Sequence, residues 1–262
     1  MNSYNNSYIY PDAGRYIYSG STFNYVNRRN TYVLDKKTGD VSGDKVPDTV
    51  YLTGEKGNNS FYENIRVIIQ DGRTGQWYTI PLHPNYSMAF SPWLFLGSFT
   101  GMNADDIMVN MPVGGSGALT YYYIISFLNN DPKYIAGPEQ FAVLTGSLKF
   151  EVAYMNNYKV LVKSGRLNQS YILDVSDRRE VYEGTVYSKD GKLIKPREGF
   201  VIDQPHLYPV RFDGGQPYKL EAQQDIAGTS HADRLGYAVT YWKYVWREKS
   251  WVLDPEMFFV MI

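Results

Sequence analysis

The chain has 262 residues, with 26 Lys and Arg against 27 Asp and Glu, for a formal net charge of −1. This balance excludes a strongly basic surface, so we expect no nucleic-acid partner. No apolar stretch is long enough to span a membrane, and no membrane partner is expected. Cysteine is absent, which excludes disulfides and thiolate metal sites. Tyrosine is abundant, with 25 residues, and two interpretations stay open: strand formation or contacts between molecules.

Residues 1–30 form the first predicted region, an arm rich in Asn, Ser and Tyr. The arm lacks the basic start and apolar run of a secretion signal, so none is expected. It is too polar to build a core, and its tyrosines favour contacts with a neighbouring molecule. The candidate self-assembly residues are Tyr4, Tyr8, Tyr10, Tyr16 and Tyr18.

Residues 31–262 are predicted to form one β-rich domain, because apolar and β-branched residues alternate over short segments. The predicted strands cover residues 31–35, 49–52, 65–71, 77–82, 93–96, 107–111, 119–127, 148–154, 159–163, 170–175, 207–212, 218–225 and 237–246. The dipeptide Asp190-Gly191 predicts a hairpin joining 185–188 to 192–194. Residues 137–145 are predicted to form a short helical turn. The apolar end, 257–262, is predicted to dock as a strand.

A polar loop after the first predicted strand carries oxygens at alternate positions. The side chains of Asp40, Ser42, Asp44 and Asp48, with the carbonyl of Val46, suit one hard cation such as calcium. The other interpretation is a plain polar turn, because Asp, Gly and Pro are ordinary turn residues. A lysine lies inside the loop, so we expect calcium binding to be weak or absent and no cofactor to be required.

The loop recurs twice along the chain. Aligned on their first positions, Asp40, Ser98 and Arg211, the copies are 58 and 113 residues apart. The second spacing is close to twice the first, which predicts a repeated β unit such as a propeller blade. Near residues 154–156, where a further unit should begin, the sequence has a turn and a strand but no row of ligands.

The two later copies are predicted to have lost the cation site. Their aligned residues are Ser98, Thr100 and Asp106 in the second loop and Arg211, Asp213 and Lys219 in the third. In the third loop, positive side chains at the first and last positions would repel calcium. Such a side chain holds the loop instead if it pairs with a carboxylate.

The pattern Gly-Asp-Val-Ser-Gly-Asp-x-x-Pro-Asp-x-Val-Tyr-Leu, residues 39–52, resembles the FG-GAP/VCBS repeat, a calcium-loop β unit of integrin-like propellers. Lys45 lies where that repeat has glycine. Stretches such as 67–75 and 114–117 are similar to spore-surface (exosporium) and parasporal-crystal proteins of spore-forming Firmicutes that carry the repeat. The resemblance implies an all-β single domain of about four degenerate units, a small or irregular β-propeller, with a β-sandwich as the alternative.

No stretch of the sequence forms a recognisable catalytic motif. The three histidines are widely separated, and none has a partner at metal-ligand spacing. The glycine-rich run 114–117 precedes a predicted strand and not a helix, so a turn is favoured over an anion site. Carboxylates such as Glu151 and Asp174 are candidates for a glycosidase pair, but the sequence gives no distance between them.

These observations favour a non-enzymatic structural protein that acts by self-assembly. The resemblance implies a place in the spore envelope or in a spore-associated crystalline inclusion. The expected partners are further copies of the chain and other spore-surface proteins. The expected route leads from the mother-cell cytoplasm to the spore surface or inclusion. A carbohydrate- or protein-binding propeller module is the alternative, and a hydrolase is third.

Overall fold

The computed structural model describes residues 30–57, 60–114, 119–212, 214–215 and 217–262. These residues form antiparallel β-sheets with a few short helices, so the prediction of an all-β fold is confirmed. The choice between a small propeller and a β-sandwich stays a prediction. The arm tyrosines Tyr4, Tyr8, Tyr10, Tyr16 and Tyr18, and the loop residue Asp213, lie outside the described residues. The described chain divides into two compact units.

The first unit holds two four-stranded meanders, in which each strand pairs with its neighbours in the chain. The first is formed by β1 (Thr31–Gly39), β2 (Asp48–Lys56), β3 (Tyr62–Gln70) and β4 (Trp77–Pro81). The second is formed by β5 (Trp93–Gly97), β6 (Asp106–Gly114), β7 (Leu119–Ser126) and β8 (Lys133–Ala136). Short 3-10 turns lie at Pro84–Tyr86 and Leu128–Asn130. Alternate residues of both meanders, including Val50, Leu52, Val67, Val109 and Ile125, share one buried core.

The second unit holds a nine-stranded antiparallel sheet. Its strands are β9 (Phe150–Met155), β10 (Lys159–Ser164), β11 (Gln169–Asp174), β12 (Glu198–Val201), β13 (His206–Val210), β14 (Lys219–Ala227), β15 (Arg234–Val245), β16 (Ser250–Leu253) and β17 (Phe259–Met261). The order is β11-β10-β9-β12-β14-β15-β16, with β13 also paired to β14 and β17 to β15. A second core includes Tyr154, Val160, Val162, Tyr187 and Phe258.

Three short helical segments interrupt the strands of this region: α1 (Pro138–Gly146), the 3-10 turn Ser176–Arg178 and α2 (Arg179–Tyr182). The predicted helical turn at 137–145 is confirmed by α1, and the predicted C-terminal strand by β17. The hairpin predicted around Asp190-Gly191 is reduced to single bridges, such as Tyr187 with Leu193. The carbonyl of Tyr182 accepts the N–H groups of residues 185–187, and these bonds hold the segment in a compact turn.

Candidate functional site

The loop between β1 and β2 is held by a buried carboxylate at the start of β2. Asp48 Oδ2 accepts hydrogen bonds from the N–H groups of Val41 at 3.0 Å and Ser42 at 2.9 Å. Asp48 Oδ1 accepts from the N–H of Gly72, in the β3–β4 turn, at 2.9 Å. The side chain thus joins the loop to the neighbouring turn through three backbone donors, two of which belong to buried residues.

The carboxylate of Asp40 is surrounded by the backbone of its own loop. Its Oδ1 accepts from the N–H groups of Gly43 at 2.7 Å and Asp44 at 3.1 Å, and its Oδ2 from Lys45 at 2.8 Å. Gly43 and Lys45 have φ angles of 82° and 70°, and this left-handed backbone turns successive N–H groups toward one anion. The loop backbone is therefore folded around the carboxylate of Asp40 itself.

Asp44 and Arg73 join the loop to the β3–β4 turn from outside. Arg73 Nε lies 2.5 Å from Asp44 Oδ2, and its Nη2 donates to the Asp44 carbonyl at 2.6 Å. The hydrogen bond from Arg73, with a second from the N–H of Val46, lowers the pKa of Asp44. Gly72, in the β3–β4 turn, lies against the loop, and a Cβ there would overlap the carbonyl oxygen of Pro47. The close approach of turn and loop therefore requires glycine.

The second loop repeats this geometry. Asp106 Oδ2 accepts from the N–H groups of Phe99 and Thr100, both at 2.8 Å, and from Thr100 Oγ1 at 2.9 Å. Gly101 has a positive φ of 70°, comparable with the 82° of Gly43 in the first loop. Burial raises the pKa of Asp106 although these hydrogen bonds oppose the rise. The 58-residue spacing of the sequence thus separates two equivalent hairpin loops.

The third loop, between β13 and β14, keeps the hairpin but reverses the charge. Val210 pairs with Lys219 as Gly39 pairs with Asp48, so the lysine lies where the first two loops have a buried carboxylate. Lys219 Nζ binds Asp254 Oδ2 at 2.8 Å, and this hydrogen bond lowers the pKa of Asp254. The Arg211 guanidinium lies 4.6 Å from the ring centre of Tyr218.

A shallow cleft of about 220 Å³ lies between the first two loops. Asp40, Ser98, Asn103 and Asp105 line it, and the N–H of Asp105 donates to the Asp40 carbonyl at 2.8 Å. Burial, followed by the negative charge of Asp40, raises the pKa of Asp105. Across the described ranges, no group of three or more His, Cys, Asp or Glu side chains is placed to hold a metal ion. Weak or absent calcium binding at residues 40–48 stays a prediction.

Asp233, in the second unit, accepts hydrogen bonds from four different residues. Its Oδ1 accepts from Tyr182 OH at 2.7 Å and Arg178 Nη1 at 3.1 Å. Its Oδ2 accepts from the N–H of Thr229 at 2.8 Å and from Tyr154 OH at 3.3 Å. Burial alone would raise the pKa of Asp233, but these donors outweigh it and the pKa is lowered. No motif in the sequence marks this carboxylate or the two tyrosines that bind it, which lie 51 and 79 residues away.

The carboxylates considered for glycoside hydrolysis do not come together. Asp174 lies opposite Lys159 and Glu151 opposite Lys163, on strands that flank β10 on its two sides. Four residues of strand alone span about 13 Å. That is more than the roughly 5–10 Å used by glycosidase carboxyl pairs. Asp174 is instead paired with Lys159 Nζ at 2.5 Å.

The histidines have separate structural roles. His83 Nδ1 accepts the N–H of Asn85 at 3.3 Å at the start of a 3-10 turn. His206 Nε2 lies 3.7 Å from Asp225 Oδ2, and the ring of His231 packs edge-on against Phe200 with 4.8 Å between centres. The three rings therefore belong to three different local environments.

The sheet formed by β13, β14, β15 and β17 has one buried face and one open face, on which Val239 and Asp225 remain buried. Leu220, Ala222, Ala238 and Trp242 on one face are buried. The open face carries a set of apolar and aromatic side chains, here called the aromatic face: Tyr208, Phe212, Tyr241, Phe259 and Met261.

Three rings of the aromatic face form a row of neighbouring side chains. Phe212 and Tyr241 have ring centres 5.0 Å apart, and those of Tyr241 and Phe259 are 6.4 Å apart. Phe212 is 66% exposed, and Tyr208, Phe259 and Met261 are 42–46% exposed. An open sheet face normally carries polar side chains, so this surface departs from the usual alternation.

Fold and sites together define an all-β protein whose hairpin loops are closed by internal charged side chains and whose larger sheet exposes aromatic residues. Residues 148–258 match the family model of the YybI C-terminal domain. The uncharacterized protein YybI of Bacillus subtilis (strain 168) is 42% identical over 213 residues, which cover 81% of this chain and 79% of that protein. The chain therefore belongs to the YybI family.

This family membership corrects the resemblance inferred from the loops. The prediction of an FG-GAP/VCBS-like protein, similar to exosporium or parasporal-crystal proteins, is wrong: the family found is YybI, and no FG-GAP/VCBS family is found. The physical reason lies in the loop, where Asp oxygens accept hydrogen bonds from backbone N–H groups. Such turns use the same residue types as a cation loop.

None of the helices in the described ranges is long and apolar enough to span a membrane.

Proposed function

We propose that the chain is a non-enzymatic structural protein of the spore envelope, or of a spore-associated inclusion, that acts by self-assembly. The aromatic face supports the self-assembly part of this proposal, and the fusion experiment below tests the spore location. Tyr, Phe and Met are enriched at protein interfaces, and the aromatic rings bury a large area at low entropic cost. A net charge of −1 adds little long-range repulsion between copies.

The charged groups of the protein also support a structural function. The oxygens of Asp48, Asp106 and Asp233 accept hydrogen bonds from the protein itself. Glu151 and Asp174 lie on strands separated by β10. The hydrogen bonds of Asp48, Asp106 and Asp233 stabilise the fold, and they occupy oxygens that acid or base chemistry would need.

The proposed partners are other copies of the chain and other spore-surface proteins, reached from the mother-cell cytoplasm. A fluorescent fusion in sporulating Bacillus subtilis cells tests the location. We expect fluorescence to concentrate around the developing spore. Fluorescence that stays uniform in the mother cell and is absent from the released spores would contradict the spore location.

Assembly is tested with the double variant Phe212→Ser/Phe259→Ser. Light scattering across a range of protein concentrations should show wild-type assemblies larger than a dimer, and the variant should need at least about tenfold more protein to form them. The matched control is Val143→Ser/Ile194→Ser, which removes two side chains that are 57% and 52% exposed outside the aromatic face. Melting curves confirm that both variants fold.

Two outcomes would overturn the proposal. Wild-type protein that stays monomeric at every concentration would remove self-assembly. Binding of that monomer to a glycan array would favour the second candidate, a carbohydrate-binding module that uses the same exposed rings.

A further inference from the structure

We propose that the outer edge of β11 pairs with the same edge of a second copy and extends the nine-stranded sheet across a two-fold axis. This inference rests on the proposed self-assembly and names one of its contacts. It concerns a surface separate from the aromatic face, because β11 and β15 lie at different positions in the strand order.

Strand β11 is the last strand on one side of its sheet. It pairs with β10 in unbroken register from Lys159–Asp174 to Ser164–Gln169. In the part of the chain that the structure describes, no backbone hydrogen bond joins β11 to any strand other than β10. Its contacts with Phe258 run through the side chains of Gln169 and Tyr171. The outward N–H and C=O groups of β11 therefore form a row ready to pair with another strand.

Three other edge strands carry features that prevent such pairing. Strand β1 has a bulge between Val33 and Asp35 and two lysines in its second half. Strand β4 ends in Pro81, and β8 has only four residues and begins with Lys133. Bulges, proline, lysine and short length are the usual protections of an exposed edge. Strand β11 has six regular residues, without Pro, Gly or Lys, and exposes Ile172 by 62%.

The sequence of β11 complements itself when a two-fold axis passes through Ile172. Ile172 then faces Ile172 of the second copy, and Tyr171 faces Leu173. Directly opposed residues share one face of an antiparallel sheet, so the two isoleucines cover each other on the open face. Ser170 faces Asp174, which places a hydroxyl donor opposite each carboxylate and avoids opposed like charges. This match favours a second copy over an unrelated strand.

The contact also determines what the assembly becomes. An edge-to-edge contact across a two-fold axis closes a dimer and cannot extend further by itself. A second, different contact through the aromatic face would join these dimers into larger arrays.

Cross-linking through an introduced cysteine tests the register. The natural chain has no cysteine, so Ile172→Cys supplies a single thiol. Opposed Cβ atoms in such a pair lie about 4.5–5.5 Å apart, close enough for a disulfide after a small adjustment. Under mild oxidation we expect most of this variant to migrate as a covalent dimer. The control Val181→Cys, at a position 71% exposed on α2, should cross-link weakly. Equal cross-linking of both variants would overturn the proposal.

The variant Ile172→Lys separates this contact from the proposed function. It places an edge lysine on β11, and the dimer should weaken at least about tenfold while the control Val181→Lys leaves it unchanged. If wild-type protein forms only dimers and Ile172→Lys abolishes them, the edge contact stands and the larger structural function fails. If assemblies persist unchanged in Ile172→Lys, the edge contact fails and the function stands. If the wild-type protein is monomeric, the edge contact and the proposed function are both wrong.

Discussion

Asp48 and Asp106 occupy equivalent positions in two successive sheets, and each accepts hydrogen bonds from the N–H groups six and seven residues before it. Both residues begin the second strand of a meander and are at most 1% exposed. Each hairpin is therefore closed by an eight-residue loop and not by a tight two-residue turn. A carboxylate at the base of the hairpin holds that loop.

Removing the first of these carboxylates should destabilise the protein strongly. Asp48→Ala removes the acceptor of three backbone N–H groups, two of them on the buried residues Val41 and Ser42, and we expect a loss of about 2 kcal/mol in the free energy of unfolding. Asp48→Asn keeps one acceptor oxygen and should lose less. Urea denaturation measures both. Asp131→Ala, at an exposed side chain paired only with Lys133, should change stability by less than about 0.5 kcal/mol. A comparable loss in that control would count against the assignment.

Calcium should have little effect on this protein. The oxygens of Asp40 and Asp48 already accept backbone hydrogen bonds, so binding an ion would require breaking them. We expect millimolar calcium to raise the Tm by less than about 1 °C, because stabilisation follows affinity. Calorimetric titration of wild type and Asp44→Ala should give equally small heats. Submicromolar binding by wild type alone would show that the loop is a true calcium site.

Asp233→Asn should destabilise the second unit by about 2–3 kcal/mol, because the carboxylate loses its charge-assisted bond to Arg178. The pKa of Asp233 is lowered by folding. Its charge therefore contributes stability above the ordinary value of 3.8, and that contribution is lost as the pH falls below it. Denaturation curves of wild type and variant should converge in acid. Asp177→Asn, at an exposed neighbouring position, serves as the control.

Alkali should unfold the second unit through its buried tyrosines. Burial raises the pKa of Tyr187 to about 12 from an ordinary value of 10.0. The neutral phenol is favoured in the fold, so stability is unchanged below pH 10.0 and is lost as the pH rises toward about 12. Tyr187→Phe should flatten this dependence when unfolding and tyrosinate absorbance are followed together. Parallel loss in both proteins would exclude Tyr187 as the cause.

Local features of the fold were predictable from the sequence. The apolar end of the chain predicted β17. The recurrence of loop residues at a spacing of 58 predicted a repeated β unit, and the structure has equivalent hairpin loops at both positions. Strand β1 was predicted too short, ending at residue 35, because Lys36 and Lys37 have the polarity of a loop. They extend the strand by pairing with Tyr51 and Val50 at an exposed edge.

The connections between distant segments were not predictable. Asp48 binds Gly72 across 24 residues, and Asp233 binds Tyr182 and Tyr154 across 51 and 79 residues. No local pattern of residues marks such a contact. The aromatic face was missed for the same reason, because only the strand register brings Tyr208, Phe212 and Phe259 to one side of the sheet.

The long reach of Asp233 has a consequence for the order of folding. Its tyrosine and arginine donors come from segments 51 to 79 residues away, so these hydrogen bonds form only after most of the second unit has folded. The bonds of Asp106 close over six and seven residues and can form with the hairpin itself. Losing Asp233 should therefore speed unfolding and leave the refolding rate nearly unchanged, whereas losing Asp106 should slow refolding.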